Sequence, residues 1–376
     1  MLYPRHERRA EKVREVLRER GIDVLVITHQ QKIIYVNGTY HSDWNAGSTV
    51  FLWAKDNPTL LAVVSEKGRL MFESHLIKDV QYWNLPFYGL KPISWPEKCI
   101  EILKEHGVEK GNIAIEEPSI PWILYSKLRE ELPRATFVNG EDLINEVMRV
   151  KDDEEFSLIQ RASAIADAGL QAVIEAVRVG ITEAQLAGVA ERAMRELDCA
   201  YFYNPTQMNF DNRVNCDHIP TDRILQRGDK IGLDFHPVWK EYRGDYFRTL
   251  SFGKPIEGYE KVADICTEAA YGMVKSLVPG ASTSEIALTF QERIKSAGYT
   301  DKAPKDLGHG IGTGHLPPLV CAGLNWTLKE NEVISISPYI YDPGNYSFLM
   351  EFLVHVREGG GVPLNKHPLG LIVIDR

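Results

Sequence analysis

The chain has 376 residues, 44% hydrophobic and 25% charged, with a formal net charge of -9. Such a length exceeds what one ordinary core organises, so two domains are expected, and the mix is that of a globular protein rather than a disordered one. An acidic balance without a basic stripe excludes nucleic acid as the natural partner, and no apolar run approaches the roughly 20 residues that cross a bilayer, which excludes a membrane protein.

The pattern over residues 5–20 predicts a charged amphipathic helix closed by Gly21. It lacks the apolar centre of a secretion signal, so a cytoplasmic protein is expected. Strand signals at 23–29 and 48–53, a helix near 97–106 before Gly107, and a strand at 112–116 predict an α/β domain over residues 1–148. The charge cluster RVKDDEEF at 149–156 breaks the periodicity and opens a long helix, placing a domain boundary there and a second domain over 149–376. Five cysteines (Cys99, Cys199, Cys216, Cys266, Cys321) are scattered without a CxxC pair, which indicates neither a disulfide framework nor a thiolate zinc site.

The second domain carries a repeat at an offset of one hundred residues: AVRVGITEAQLAGVAERAMREL from Ala176 aligns with SLVPGASTSEIALTFQERIKSA from Ser276. In each copy a helix ends at a glycine, Gly180 or Gly280. The next helix opens with a hydroxyl cap answered three places on, Thr182 by Gln185 and Ser282 by Glu285. This predicts a duplicated unit with a pseudo-twofold axis between its halves. A strand-rich segment follows each helix pair. In GLDFHPVWKEYRGDYFRTL, a hairpin turning between Trp239 and Lys240 would set Asp234 opposite Asp245, with His236 on the face of Asp234. In ISISPYIYDPGNYSFLMEFLV, a hairpin folded about Gly344 would set Ser337 opposite Glu351. The duplication thus predicts two acids from each half, and one of the four is a serine.

Opposed carboxylates on a buried face repel and lose solvation, so they need a counter-charge: a divalent metal or a cationic substrate. Acid oxygens with histidine nitrogens suit Mn, Fe, Co or Zn. The candidate histidines are His218, His236, His309 and His315; His309 lies between Gly308 and Gly310, where backbone must approach something closely.

The motifs HIPTDRILQRGDKIGLDF, GDYFRTL, GHGIG and VISISPYIY, with RVKDDEEFSLIQRA before them, resemble the creatinase, prolidase and methionine aminopeptidase family. The resemblance spans nearly all of residues 149–356. It implies a pita-bread catalytic domain, a pseudo-twofold duplicated α+β unit with a curved antiparallel sheet and helices outside, preceded by a creatinase-like α/β domain in a homodimer. It places the metal ligands on Asp234, Asp245, His309 and Glu351, with Ser337 where the peptidases carry a glutamate. It makes His218 a substrate-facing proton shuttle and aligns His315 with a second histidine of the GHG loop. Glu351 and His315 then join His218 as catalytic candidates.

Three sites are compatible with Ser337. One is a remodelled single-metal site of Asp234, Asp245, Glu351 and His236. The second is metal-free catalysis with His218 as acid or base. The third is a two-metal peptidase site that tolerates serine. Candidate substrate contacts are Ser337, Arg248 and, in the stretch NGTYHSDWNAG that closes over the neighbouring active site in dimeric relatives, Tyr40, His41, Asp43 and Trp44. The expected reaction is hydrolysis of a carbon to nitrogen bond in a small amide, amidine, guanidino compound or short dipeptide. The competing readings are an Xaa-Pro dipeptidase, a single-metal lyase of the same fold, and a catalytically silent binding module.

Overall fold

The computed structural model describes residues 6–38, 47–72, 76–84, 94–210, 218–342 and 347–376. The chain divides into two compact units, Met1–Met148 and Arg149–Arg376.

The first unit is built on a six-stranded sheet of β1 (Val24–Ile27), β2 (Thr49–Trp53), β3 (Thr59–Val63), β4 (Asp79–Trp83), β5 (Asn112–Ile115) and β6 (Thr136–Asn139), in the order β4-β3-β2-β1-β5-β6. The pairs β1/β5, β5/β6 and β3/β4 are parallel, while β1/β2 and β2/β3 are antiparallel. Its helices are α1 (His6–Glu19), α2 (Gln30–Asn37), α3 (Lys67–Phe72), α4 (Trp95–Glu105), α5 (Trp122–Glu131) and α6 (Glu141–Arg149), the last ending one residue into the second unit. Strands β1, β2 and β3 are buried along their whole length, which explains their near-continuous apolar sequences. Helix α4 starts two residues earlier than its periodicity suggests, because Ser94 and Glu97 form a reciprocal capping box.

The second unit contains two helix pairs, α7 (Asp153–Ala176) with α8 (Glu183–Arg195), and α9 (Tyr259–Ser276) with α10 (Thr283–Ser296). Their connections match bond for bond. Gly180 N–H donates to the Leu225 carbonyl and Gly280 N–H to that of Leu328; Glu183 N–H donates to Arg223 and Thr283 N–H to Trp326. Thr182 and Gln185 complete a capping box, whereas Ser282 caps the Glu285 N–H and gives its hydroxyl proton to Asn325. The repeat in the sequence is therefore a structural duplication.

Each half contributes a hairpin to the middle of the unit. In the first half β8 (Gln207–Asn209), β9 (Lys230–Phe235) and β12 (Tyr246–Phe252) form a sheet with the C-terminal β20 (Ile372–Ile374), while the short strands β7 (Tyr201–Phe202), β10 (Pro237–Trp239) and β11 (Tyr242–Arg243) extend the hairpin. In the second half β13 (Asp306–Ile311), β14 (His315–Cys321), β15 (Val333–Ile336), β18 (Phe352–His355) and β19 (Val362–Pro363) pair in the order β14-β13-β15-β18-β19, with β16 (Tyr339–Ile340) and β17 (Phe348–Leu349) beside them. Two backbone hydrogen bonds between Phe247 and Glu351 join the halves. One apolar core runs beneath both, from Ile165 and Leu170 through Phe235 and Phe252 to Phe290, Ile336 and Phe352.

The registers decide which acids meet. In the second hairpin Val333 pairs with His355, Ile336 with Phe352 and Tyr339 with Leu349, which carries Ser337 opposite Glu351 as predicted. The proposed turn residues Pro343, Gly344 and Asn345 lie outside the described residues. The first hairpin departs from expectation. Trp239 pairs with Tyr242 and Phe247 with Asp234, so the register is displaced by two residues and Asp245 stands across from His236. Lys240 and Glu241 form the corner with φ of 50° and 70°. A two-residue corner with both φ positive matches the right-handed twist of the strands, although it lacks the Asn-Gly signature that would mark it in a sequence.

Candidate active site

The seam between the halves gathers three carboxylates and three imidazoles. Asp234 is the next-to-last residue of β9, and His236 occupies the break between β9 and β10, its Nε2 lying 3.3 Å from Asp234 Oδ2 and 3.8 Å from Asp245 Oδ1. From the second half, His309 Nε2 lies 3.5 Å and His315 Nε2 3.4 Å from Asp245 Oδ2, and His309 Nε2 lies 3.9 Å from Glu351 Oε1. The rings of His309 and His315 stack with centroids 4.1 Å apart. Asp234, His236, Asp245 and Glu351 are buried, while the His315 side chain is 48% exposed and so opens the cluster to solvent.

The glycines around His309 have a steric cause. A Cβ on Gly308, at φ +144°, would lie 2.2 Å from the Ser335 carbonyl oxygen, and one on Gly310 would lie 2.5 Å from that of Pro317. No side chain fits at either position, so β13 can pass close enough to β14 and β15 to aim His309 into the cluster. The Nδ1–H of His309 donates to the Gly310 carbonyl at 3.0 Å, which leaves its Nε2 lone pair facing Asp245 and Glu351. Burial and the neighbouring His315 depress the His309 imidazole against the pull of Asp245, which favours the neutral, ligating form.

The carboxylates differ in their surroundings. Burial works to raise the Asp245 carboxyl, but the His315 contact and the charges of His236 and His309 outweigh it and hold it below its ordinary value. Burial pushes the Glu351 carboxyl well above the usual range, and Asp245 and Asp234 push the same way. Ser335 and Ser337 each donate a hydroxyl proton to Glu351 Oε1, at 3.0 and 2.6 Å. Burial would lower His236, yet the charge and contact of Asp234, with Asp245 and Glu351 beyond, lift it to about 9.

Oxygen and nitrogen ligand atoms therefore converge in two overlapping groups, Asp234/His236/Asp245 and Asp245/His309/His315. Hard carboxylates with imidazoles, His236 buried and His309 with its tautomer set by a backbone carbonyl, suit a divalent ion such as Mn, Fe, Co or Zn. An ion there would supply Lewis-acid polarisation and a nucleophile at neutral pH.

Other predicted residues fall elsewhere. Arg248 is completely buried; its Nη1 donates to the carbonyls of Phe247 and Glu351, and the guanidinium lies 4.4 Å from the Tyr246 ring centroid. It braces the strands under the site and cannot meet a substrate, which corrects that expectation. Ser337 has its hydroxyl committed to Glu351 rather than to a ligand. His218 Nε2 bonds at 3.2 Å to Glu183 Oε2. Glu183 is fully buried and also accepts the N–H groups of Phe210 and Thr221 and the Thr221 hydroxyl. Burial works to raise Glu183, but these bonds hold it below its ordinary value. Among the described residues no hydrogen bond links His218 to the cluster. Tyr40, His41, Asp43 and Trp44 lie outside the described residues.

Sequence reasoning missed Tyr203, whose hydroxyl lies 3.2 Å from His315 Nε2, whose ring stands edge-on to His236, and whose other contact is the Arg243 guanidinium 3.9 Å from its centroid. Nothing in its local sequence marks it. It also missed Ser335, which the strand period of two places on the same face as Ser337.

A duplicated α+β unit whose two halves close on a pocket of acids and histidines, preceded by an α/β domain, defines a hydrolase of the pita-bread class. Comparison with known proteins agrees. Residues 157–361 match the model of metallopeptidase family M24, and residues 9–150 match the creatinase/prolidase N-terminal domain. The chain is 26% identical over 369 residues to a putative dipeptidase, YkvY, of Bacillus subtilis (strain 168), covering 97% of this chain and 99% of that protein. It is 24% identical over 385 residues to the creatinase of a Bacillus species (strain B-0618), covering 96% and 91%. The crystal structure of a dipeptidase from Pyrococcus horikoshii OT3 superposes with a TM-score of 0.84 at 27% identity, covering 97% of this chain and 99% of that one. The chain belongs to metallopeptidase family M24, as a creatinase/prolidase-type hydrolase of carbon to nitrogen bonds.

Proposed function

We propose that this hydrolase opens a carbon to nitrogen bond of a small amide, amidine, guanidino compound or short dipeptide at a site holding one divalent ion. Asp234, His236 and Asp245 would hold the ion, with Glu351 and His309 beside it. The observation that carries the reading is the buried convergence of the first three, whose ligand atoms all lie within 4.8 Å of one another. Ser337, which lacks a carboxylate, offers no acid for a second ion.

His315 is the exposed imidazole of the cluster, and Tyr203 keeps its Nε2 engaged, so this pair would meet the substrate first. His218, fixed by the buried Glu183 carboxylate, is assigned the proton of the leaving group. A dipeptide substrate draws support from the dipeptidase relatives, and a guanidino substrate from the creatinase. Dimerisation, with Tyr40, His41, Asp43 and Trp44 contributing to specificity, belongs to the same proposal.

A metal-free form of this chemistry is favoured by one observation. His236, lifted to about 9, provides an imidazolium between the two aspartates at neutral pH.

Elemental analysis of protein purified without chelator, paired with a turnover screen of Xaa-Pro dipeptides, amides, amidines and guanidino compounds, tests both. One ion per chain and turnover abolished by chelator is the expected result. Turnover without an ion would select the metal-free form, and silence on every substrate with Mn, Fe, Co and Zn would refute hydrolysis of these classes.

A further inference from the structure

Two serines, not one, stand on the strand that faces Glu351. Ser337 is directly across from it in the hairpin register, and Ser335, two residues back on the same face of β15, is completely buried. Both hydroxyls donate to one oxygen, Oε1, at 2.6 Å from Ser337 and 3.0 Å from Ser335. A carboxylate oxygen offers about two lone-pair directions. Both are taken, and only Oε2 is left for an ion.

The consequence falls on the second group of ligand atoms. Asp245, His309 and His315 supply three donors, with Asp245 shared between the two groups. The Glu351 oxygen beside that position is Oε1, 3.9 Å from His309 Nε2, and an acid at position 337 would be the other carboxylate to hand. The hydroxyl pair removes the first option, and the identity of Ser337 removes the second. Three donors, two of them uncharged when ligating, are a poor hold for a divalent ion that competes with hydration.

We infer that Ser335 and Ser337 act as a clamp on Glu351 Oε1 that closes the second ion position and reserves His309, His315 and Tyr203 for substrate. The inference deepens the one-ion reading and rests on it for the site as a whole. It makes a separate claim, that the number of ions is set by two hydroxyls and not only by a missing acid.

The test is calorimetric titration with Mn²⁺, with bound metal counted by elemental analysis, on the wild type, on Ser335→Ala/Ser337→Ala, and on Ser337→Glu as a positive control. Removing both hydroxyls frees two lone pairs on a buried oxygen beside three waiting donors. The double alanine variant is expected to take up one Mn²⁺ more per chain than the wild type, or to bind a second ion at least tenfold more tightly. Ser337→Thr keeps a donor in place and must retain the wild-type count, which guards against a packing effect. Thermal melting of each protein confirms that it is folded, and Ser335→Ala alone serves if the double variant is not, with the same direction expected.

One ion in both the wild type and the double alanine variant, with unchanged affinity for a second, overturns the clamp and leaves the one-ion reading standing. No ion in the wild type but one in the variant retires the one-ion reading and supports the clamp. Two ions in both overturn the two together.

Discussion

His236 ties the acid pair to pH, and the size of the effect can be worked from the site. Its imidazole is buried against Asp234 and Asp245 and is lifted from an ordinary 6.5 to about 9. A folded-state value above the unfolded one means the protonated ring favours folding, so its contribution is fully present below pH 6.5 and is lost as pH rises through about 9. A lift of that size corresponds to roughly 3 kcal/mol at about 1.4 kcal/mol per pH unit. The perturbation is His236→Asn, which retains an amide donor near Asp234 but cannot carry charge. The assay is urea unfolding in excess chelator at steps from pH 6 to 10, followed by intrinsic tryptophan fluorescence. Ion-free wild type should lose roughly 3 kcal/mol more across that window than the variant does, since the other titrating groups are common to both. Saturating Mn²⁺ should reverse the trend in the wild type, because the ion and the proton compete for the His236 imidazole beside Asp234 and Asp245, and ligand binding adds stability by mass action. Parallel stability curves for the two proteins in chelator would refute the reasoning.

Four further outcomes are expected. Gly308→Ala combines a positive φ with a Cβ 2.2 Å from a backbone oxygen, and should cost at least roughly 3 kcal/mol and lower turnover by displacing His309. Gly188→Ala, in open space on the exposed side of α8, should stabilise by about 0.5–1 kcal/mol; calorimetric melting compares the two. Arg149→Met leaves the fully buried Glu332 without a partner now 2.6 Å away, at a cost of about 3–5 kcal/mol, and adding Glu332→Leu should recover part of it in denaturant titration. His218→Ala should lower kcat by about 10² to 10⁴-fold while melting close to the wild type, and a loss of less than tenfold in steady-state kinetics would remove His218 from proton transfer.

What the sequence by itself determined is the part written in local punctuation and periodicity. Gly180 with Thr182 and Gly280 with Ser282 announced two equivalent helix pairs, because helix ends need capping wherever they fall in a fold. The apolar strand runs on either side of Asp342-Pro343-Gly344-Asn345 predicted the register of the second hairpin, and the observed pairing sets Ser337 against Glu351. Gly308 and Gly310 signalled a close backbone approach, and the tightest approaches are to Ser335 and Pro317. The residues of the central cluster were all candidates in the sequence, His236 and His315 as histidines near the acids and Asp234, Asp245, His309 and Glu351 as the ligands that the family resemblance implies.

Only the tertiary structure decided the rest. The first hairpin turns on Lys240 and Glu241, a corner that the sequence does not mark, and the two-residue change of register set His236 between the aspartates rather than beside one of them. Arg248 stood in the sequence as a candidate substrate contact, but burial makes it a brace on backbone carbonyls. Tyr203 reaches His315 across 112 residues of chain, and Glu183 reaches His218 across 35, distances over which no local pattern carries information. Propensity and capping act within a few residues, whereas the charge, burial and hydrogen-bond partners of a side chain are fixed by whichever distant strands the fold brings beside it.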